Sequence, residues 1–163
     1  MSATRSDQIA VVFGGAGFIG GHLLARLAAS GRYRRLVSYD IAAPKAAVAG
    51  VDYVVGDVRE PIAVDGEVAG AEIYNLAAVH TTPGHQDWEY FWTNVNGATA
   101  VCAFARAIDA RFLLFTSSIS VYGPTEEPVD ERFKPSPTSA YGRSKLQAET
   151  IHRTWLDADP GRR

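Results

Sequence analysis

Apolar positions along the chain fall into two alternating patterns. Residues 9–13, IAVVF, are a short, wholly apolar, β-branched run, which predicts a parallel strand buried on both faces. After a glycine cluster, FIGGHLLARLAASG sets Phe18, Ile19, Leu23, Leu24 and Leu27 at helical spacing, with Gly31 as the stop. Residues 36–39 predict a second strand ending at Asp40. Residues 51–55 predict a third, before Gly56-Asp57, and residues 73–78 a fourth. A long helix is predicted over residues 87–108. Its Trp88, Phe91, Trp92, Val95, Thr99, Cys102 and Ala103 recur every three or four positions, and this aromatic stripe is expected to be core. Residues 112–115 predict a fifth strand, running into Thr116-Ser117-Ser118, and residues 140–156 a last helix. Between them residues 123–139 carry four prolines, Pro124, Pro128, Pro135 and Pro137. So long a loop in a compact domain is expected to be functional. Residues 61–70 show no pattern that forces a helix. Strands alternating with helices imply a parallel sheet with helices on both faces.

Composition narrows the partners. The 163 residues are 47% apolar and 21% charged, which suits one globular domain with a sizeable core. A net charge of −2, without long basic runs, leaves no footprint for nucleic acid or an anionic membrane. The one cysteine, Cys102, cannot pair within the chain, so a reducing, cytoplasmic setting is expected, with Cys102 packed in the core. Residues 1–8 are polar, so no secretory leader is expected there. No apolar run is long enough to span a membrane.

Candidate chemistry begins at FGGAGFIGG, between the first strand and the first helix. Glycines there let the backbone turn tightly and approach a pyrophosphate, while free N–H groups at the helix N-terminus bond to the anion. Two registers fit, Gly15-x-Gly17-x-x-Gly20 and Gly14-x-x-Gly17-x-x-Gly20. Asp40 follows at the end of the second strand. A carboxylate at that point accepts both adenosine ribose hydroxyls and repels a 2′-phosphate, which favours NAD over NADP. Arg34 and Arg35 precede the second strand and are expected at its far end.

A second constellation lies toward the C-terminus. Tyr141 and Lys145 stand four apart, on one helix face. A free phenol titrates near ~10, too high for a base at neutral pH. A neighbouring ammonium favours the phenolate, and the pair can then exchange a proton with a substrate hydroxyl. Ser118 lies just past a strand end, on the ligand side of an open parallel sheet, where a hydroxyl can bond the same oxygen.

With these segments in order, the chain resembles the N-terminal part of an extended short-chain dehydrogenase/reductase of the nucleotide-sugar epimerase/dehydratase branch. The likeness is carried by GGAGFIG, Tyr39-Asp40, GDV at residues 56–58 and NLAAVH at 75–80. It continues through TNVNGAT at 93–99, FTSSISVYG at 115–123 and SAYGRSKLQAE at 139–149. The resemblance implies a Rossmann-like, doubly wound parallel sheet, five strands in order 3-2-1-4-5 with flanking helices. It selects the register Gly14, Gly17, Gly20, with Phe18 and Ile19 over the pyrophosphate. It implies Asp57 and Val58 beside adenine, Ala77 and Ala78 along the nicotinamide, and Asn94 ordering the site. It makes Ser118, Tyr141 and Lys145 the catalytic set, with Lys145 also on the nicotinamide ribose and no metal. His80, after the fourth strand, is a candidate substrate contact, with a structural hydrogen bond as the equal alternative.

The implied reaction is proton removal from a sugar hydroxyl by Tyr141 with hydride transfer to NAD, giving a ketone. Hydride return after rotation yields an epimer; elimination yields a dehydratase. The 4,6-dehydratases of the family resemble one another in a Thr-Asp-Glu before the VYG element. Ser118-Ile119-Ser120 stands here instead, which disfavours that outcome and leaves an epimerase or a sugar reductase. Family members often form dimers through the two long helices.

The resemblance also implies later strands and a C-terminal substrate region that the 163 residues do not contain. The fifth strand is then expected to be an edge, with residues 157–163 as a turn toward an absent strand and Pro160-Gly161 as its breaker. An incomplete NAD-binding domain, truncated from a larger enzyme, is the favoured expectation. A partner chain supplying the rest, or a reduced cofactor-binding module without turnover, are the alternatives.

Overall fold

The structure, a computed structural model, describes residues 7–80 and 84–163. Most of the polar N-terminal stretch lies outside the described residues. Five parallel strands form one sheet in the order β3-β2-β1-β4-β5, as expected. They are β1 (Gln8–Phe13), β2 (Tyr33–Asp40), β3 (Val51–Val55), β4 (Glu72–Asn75) and β5 (Leu113–Phe115). The helices are α1 (Phe18–Ser30), α2 (Asp87–Tyr90), α3 (Asn96–Ala107) and α4 (Ala140–Asp157). A π-helical turn, Phe91–Val95, joins α2 to α3, and a 3-10 turn, Ile119–Val121, follows β5. Residues 61–70 are neither helix nor strand.

Strand β1 shows why its sequence is apolar throughout. Ile9, Val11 and Phe13 pack on one side with Val101, Cys102, Ala105 and Trp155 of α3 and α4. Ala10 and Val12 pack on the other with Leu24 of α1. Both faces of the strand are buried, so alternation vanishes. Each large side chain so enclosed contributes about 1.5–3 kcal/mol. Helix α1 stops where Gly31 turns left-handed (φ 65°) and donates its N–H to Ala28 O.

The aromatic stripe corrects one expectation. Cys102 is buried, but Trp88 and Trp92 are 64% and 49% exposed. The buried face carries Tyr90, Asn94, Ala98, Val101 and Ala105 instead. A Cβ on Gly97 would come within 2.9 Å of Val58 Cγ2, so this helix runs too close to its neighbours for indoles. The π turn also re-phases the helix midway, so one 3.6-residue stripe does not describe both halves.

At its outer edge β5 is met only by Arg163 among the described residues. Arg163 N–H donates to Arg111 O and Leu113 N–H donates to Arg163 O, the pattern of a parallel bridge. The preceding turn is closed by Gly161 N–H to Asp159 Oδ1, 2.8 Å.

Candidate active site

Strand ends and the loops after them enclose a cleft of about 790 Å³ along the C-terminal edge of the sheet. That is where open parallel sheets bind ligands. Its floor is the turn after β1. Gly14 has φ 79°, and a Cβ there would lie 2.8 Å from Ala77 N. Only glycine lets this turn sit on the chain leaving β4. Gly14 N–H donates to Tyr39 O (2.9 Å), and Leu76 N–H to Phe13 O (2.9 Å), so three strand ends are tied together beneath the floor. Gly17, Phe18, Ile19 and Gly20 line the cleft where α1 begins. Phe18 is 84% exposed there, an apolar ring held in the open. The first N–H groups of a helix have no intrahelical acceptors.

Asp40 lines the same cleft from the end of β2. One carboxylate oxygen accepts Ala16 N–H (3.0 Å) and the other Ala42 N–H (3.1 Å). The carboxylate is therefore aimed by backbone on both sides. Beyond β3, Asp57 and Val58 form the far wall with Arg59. Arg59 grips the Asp57 carboxylate, Nη2 to Oδ2 2.5 Å, and holds that carboxyl below the usual range. Arg34 and Arg35 lie at the opposite end of β2, as expected, paired with Glu67 and Asp52.

The other end of the cleft is lined by Ala77, Ala78, His80, Thr116, Ser117, Tyr141 and Lys145. Ser139 caps α4, its hydroxyl accepting Gly142 N–H (3.0 Å), which starts the helix at the tyrosine. Tyr141 is half-buried, with its ring 6.0 Å from that of Tyr90. Lys145, one helical turn on, is only 3% exposed. Its ammonium donates to Thr116 O (2.6 Å) and lies 4.2 Å from the centre of the Phe115 ring. Burial brings its pKa from 10.5 down to about 8, with the Glu149 carboxylate pushing the other way.

Two expected site residues do not reach the cleft wall. Asn94 is buried behind it. Its Oδ1 accepts Val79 N–H (2.8 Å), and its Nδ2 donates to Val79 O and Ser144 Oγ. It ties the chain after β4 to α4, and Ser144 in turn donates to Tyr141 O (2.7 Å). Ser118 caps the 3-10 turn, its Oγ accepting Ser120 N–H (3.2 Å). Ser117, which the sequence left aside, lines the cleft and donates to Glu149.

His85, Glu89 and Thr93 also line it and were missed. Thr93 belongs to the π turn, which no apolar periodicity announces. His85 Nδ1 lies 3.4 Å from Glu89, whose carboxylate also accepts Gln86 N–H (2.6 Å) in a capping box. Among the described residues no three His, Cys, Asp or Glu side chains group as a metal site, and no helix is long and apolar enough to cross a membrane.

Comparison with known proteins places this geometry. Residues 10–162 match the NAD dependent epimerase/dehydratase family. The UDP-glucose 4-epimerase of Yersinia pestis is 31% identical over 92% of the chain, which spans 49% of that protein. A crystal structure of UDP-galactose 4-epimerase superposes with a TM-score of 0.83 at 28% identity, over 92% of this chain and 52% of that one. MoeE5 in complex with UDP-glucose and NAD superposes with a TM-score of 0.78 at 27% identity, over 95% and 50%. The chain thus spans about half the length of the proteins it matches. With strand order, glycine turn, Asp40 and the Tyr141–Lys145 helix all in one cleft, the chain belongs to the NAD-dependent epimerase/dehydratase family.

Proposed function

We propose that this chain carries the cofactor-binding and proton-transfer part of an NAD-dependent oxidoreductase/epimerase acting on a hydroxyl of a nucleotide-sugar. The observation that carries the reading is that Tyr141 and Lys145 open on the same cleft as Asp40 and the glycine turn. The residues present fit the dinucleotide. The N-terminus of α1 suits the pyrophosphate, with Gly14 and Gly20 letting the turn pack closely, Gly17 opening the helix start, and Phe18 and Ile19 covering the ligand. Asp40 would accept the ribose hydroxyls and disfavour a 2′-phosphate. Arg59, the arginine on this wall, is neutralised by Asp57. Asp57 and Val58 would flank adenine, and Ala77 and Ala78 the nicotinamide.

Bound NAD would supply the hydride acceptor for the sugar carbon. Tyr141 takes the proton of the sugar hydroxyl, and with the hydride also removed from its carbon the carbinol becomes a ketone. The Lys145 ammonium favours the phenolate form of Tyr141. It has three N–H donors; Thr116 O takes one, which leaves others for the nicotinamide ribose. Ser118 Oγ accepts Ser120 N–H behind the cleft wall, and its contact with the substrate oxygen rests on the family resemblance. His80, exposed on the cleft, is a candidate sugar contact. Asn94 acts from behind by holding Val79 and Ser144 in place.

A second reading is a cofactor-binding domain without turnover that needs a partner chain; the chain spans about half the length of the relatives it matches. Titrating the 163-residue chain with NAD, then assaying it with UDP- and dTDP-sugars, separates the two. Turnover supports the first, and NAD binding without turnover supports the second. No NAD binding would sink both. A homodimer through the helical run from α2 to α3 and through α4 is part of the proposal: Trp88 of α2 and Trp92 of the π turn present an apolar stripe to solvent. A cytoplasmic setting goes with the buried, unpaired Cys102.

A further inference from the structure

Behind the cleft lies a buried polar pair that the proton-transfer scheme does not use. Asn75, the last residue of β4, is 2% exposed, and His152, on the fourth turn of α4, is 7% exposed. His152 Nδ1 lies 2.7 Å from Ala148 O. A carbonyl only accepts, so Nδ1 carries the proton. In the neutral ring Nε2 is then an acceptor, and Asn75 Nδ2 stands 3.1 Å away as its donor. Burial holds the imidazole below its usual pKa, aided by the Lys145 charge and opposed by the Ala148 bond.

His152 also stacks on Phe115, centroids 4.1 Å apart with 13° between planes. Lys145 Nζ lies 4.2 Å from the centre of the same ring. The circuit closes through backbone. Lys145 donates to Thr116 O, Thr116 N–H donates to Asn75 O (3.1 Å), and Asn75 donates to His152. Helix α4 joins His152 back to Lys145. Among the described residues no other bond of the Asn75 side chain competes: its Oδ1 is buried without a partner.

We propose that His152 is a positioning residue for Lys145. By bonding Asn75 and stacking on Phe115, it holds the ends of β4 and β5, and with them the Thr116 carbonyl, against α4. The consequence for turnover rests on the role given to Lys145 above; the effect on Lys145 itself does not. A histidine that merely fills core would change stability when replaced and leave the ammonium where it is.

The chain has three lysines, Lys45, Lys134 and Lys145, so carbon-13 NMR of labelled lysine can follow Lys145 alone. His152→Phe keeps an aromatic ring on Phe115 and loses both hydrogen bonds. The Lys145 midpoint is expected to rise by about one pH unit as the ammonium regains water, and NAD affinity to fall several-fold. His152→Gln, which restores an acceptor for Asn75, should recover most of the shift. An unmoved Lys145 midpoint alongside a lower melting temperature would overturn the proposal. Should His152→Phe not fold, Asn75→Ser takes its place, with the same expectation and the same refuting result. If the unaltered chain does not bind NAD, the functional reading fails, and the Lys145 titration still decides this one.

Discussion

Replacing Lys145 by methionine should make the folded protein more stable at neutral pH while removing its chemistry. The unfolded lysine keeps its proton to about pH 10.5, whereas the folded one releases it near pH 8. At about 1.4 kcal/mol per unit, that drop corresponds to roughly 3 kcal/mol spent on holding a charged ammonium under the cleft. Methionine fills a similar volume without charge, but Thr116 O loses its donor, a loss of about 1 kcal/mol. The net gain at pH 7 is about 2 kcal/mol, or about 1 M in a urea midpoint. Between pH 8 and 10.5 the unfolded state binds more protons than the folded one. The original protein therefore gains stability through that window, and the difference between the two should shrink toward zero by about pH 10. Burial also pushes Cys102 up to about 11 and raises Tyr33, Tyr39 and Tyr74. Those acids ionise first in the unfolded chain, so they lower the stability of both proteins at high pH, and only the difference isolates Lys145. Urea unfolding of both at pH 7 and pH 10 is the assay. A variant less stable at pH 7, or a difference that ignores pH, would refute the reasoning.

Three further outcomes are expected. Tyr141→Phe should abolish the proposed turnover with circular dichroism unchanged; near-normal rates would remove Tyr141 from the role of base. Asp40→Ala should weaken NAD roughly ten- to a hundredfold, the worth of a charged hydrogen-bond acceptor, and narrow the preference over NADP. Calorimetry showing both affinities unchanged would contradict it. Trp88→Asp together with Trp92→Lys should leave the melting temperature nearly unchanged, since both indoles face solvent, and shift a dimer to monomer in sedimentation. A sedimentation profile unaffected by the pair would exclude this stripe as the interface.

The replaced tryptophans mark where sequence reading stops. Their spacing is helical and the helix is there, yet periodicity reports only that some face is apolar. Which face turns inward depends on how closely the neighbour approaches, and here Gly97, Ala98 and Ala105 admit an approach that indoles would block. The π turn adds a phase shift that no repeat foretells, and with it Thr93 enters the cleft wall. Asn94 and Ser118 show the same limit at single residues. Their types and positions are those of site residues, but their hydrogen bonds go to Val79 and Ser144, and to Ser120, and this is decided by atoms far along the chain or by a local cap.

What the chain's order of residues determined alone is local or pairwise-periodic. A strand buried on both faces must be apolar at every position. A turn at φ 79° under a crossing backbone must be glycine. A tyrosine and lysine four apart must share a helix face. From these came the strands, the glycine turn, Asp40 at a strand end and the Tyr141–Lys145 pair, while the strand order came with the family resemblance. The tertiary structure alone decided how those parts are held: Ser117 against Glu149, Asn94 against Val79 and Ser144, and the circuit of Lys145, Thr116, Asn75 and His152. Those partners are separated by as few as 15 and as many as 77 residues, and hydrogen bonds are short-ranged and directional. Only the packed arrangement of strands and helices brings their atoms within reach.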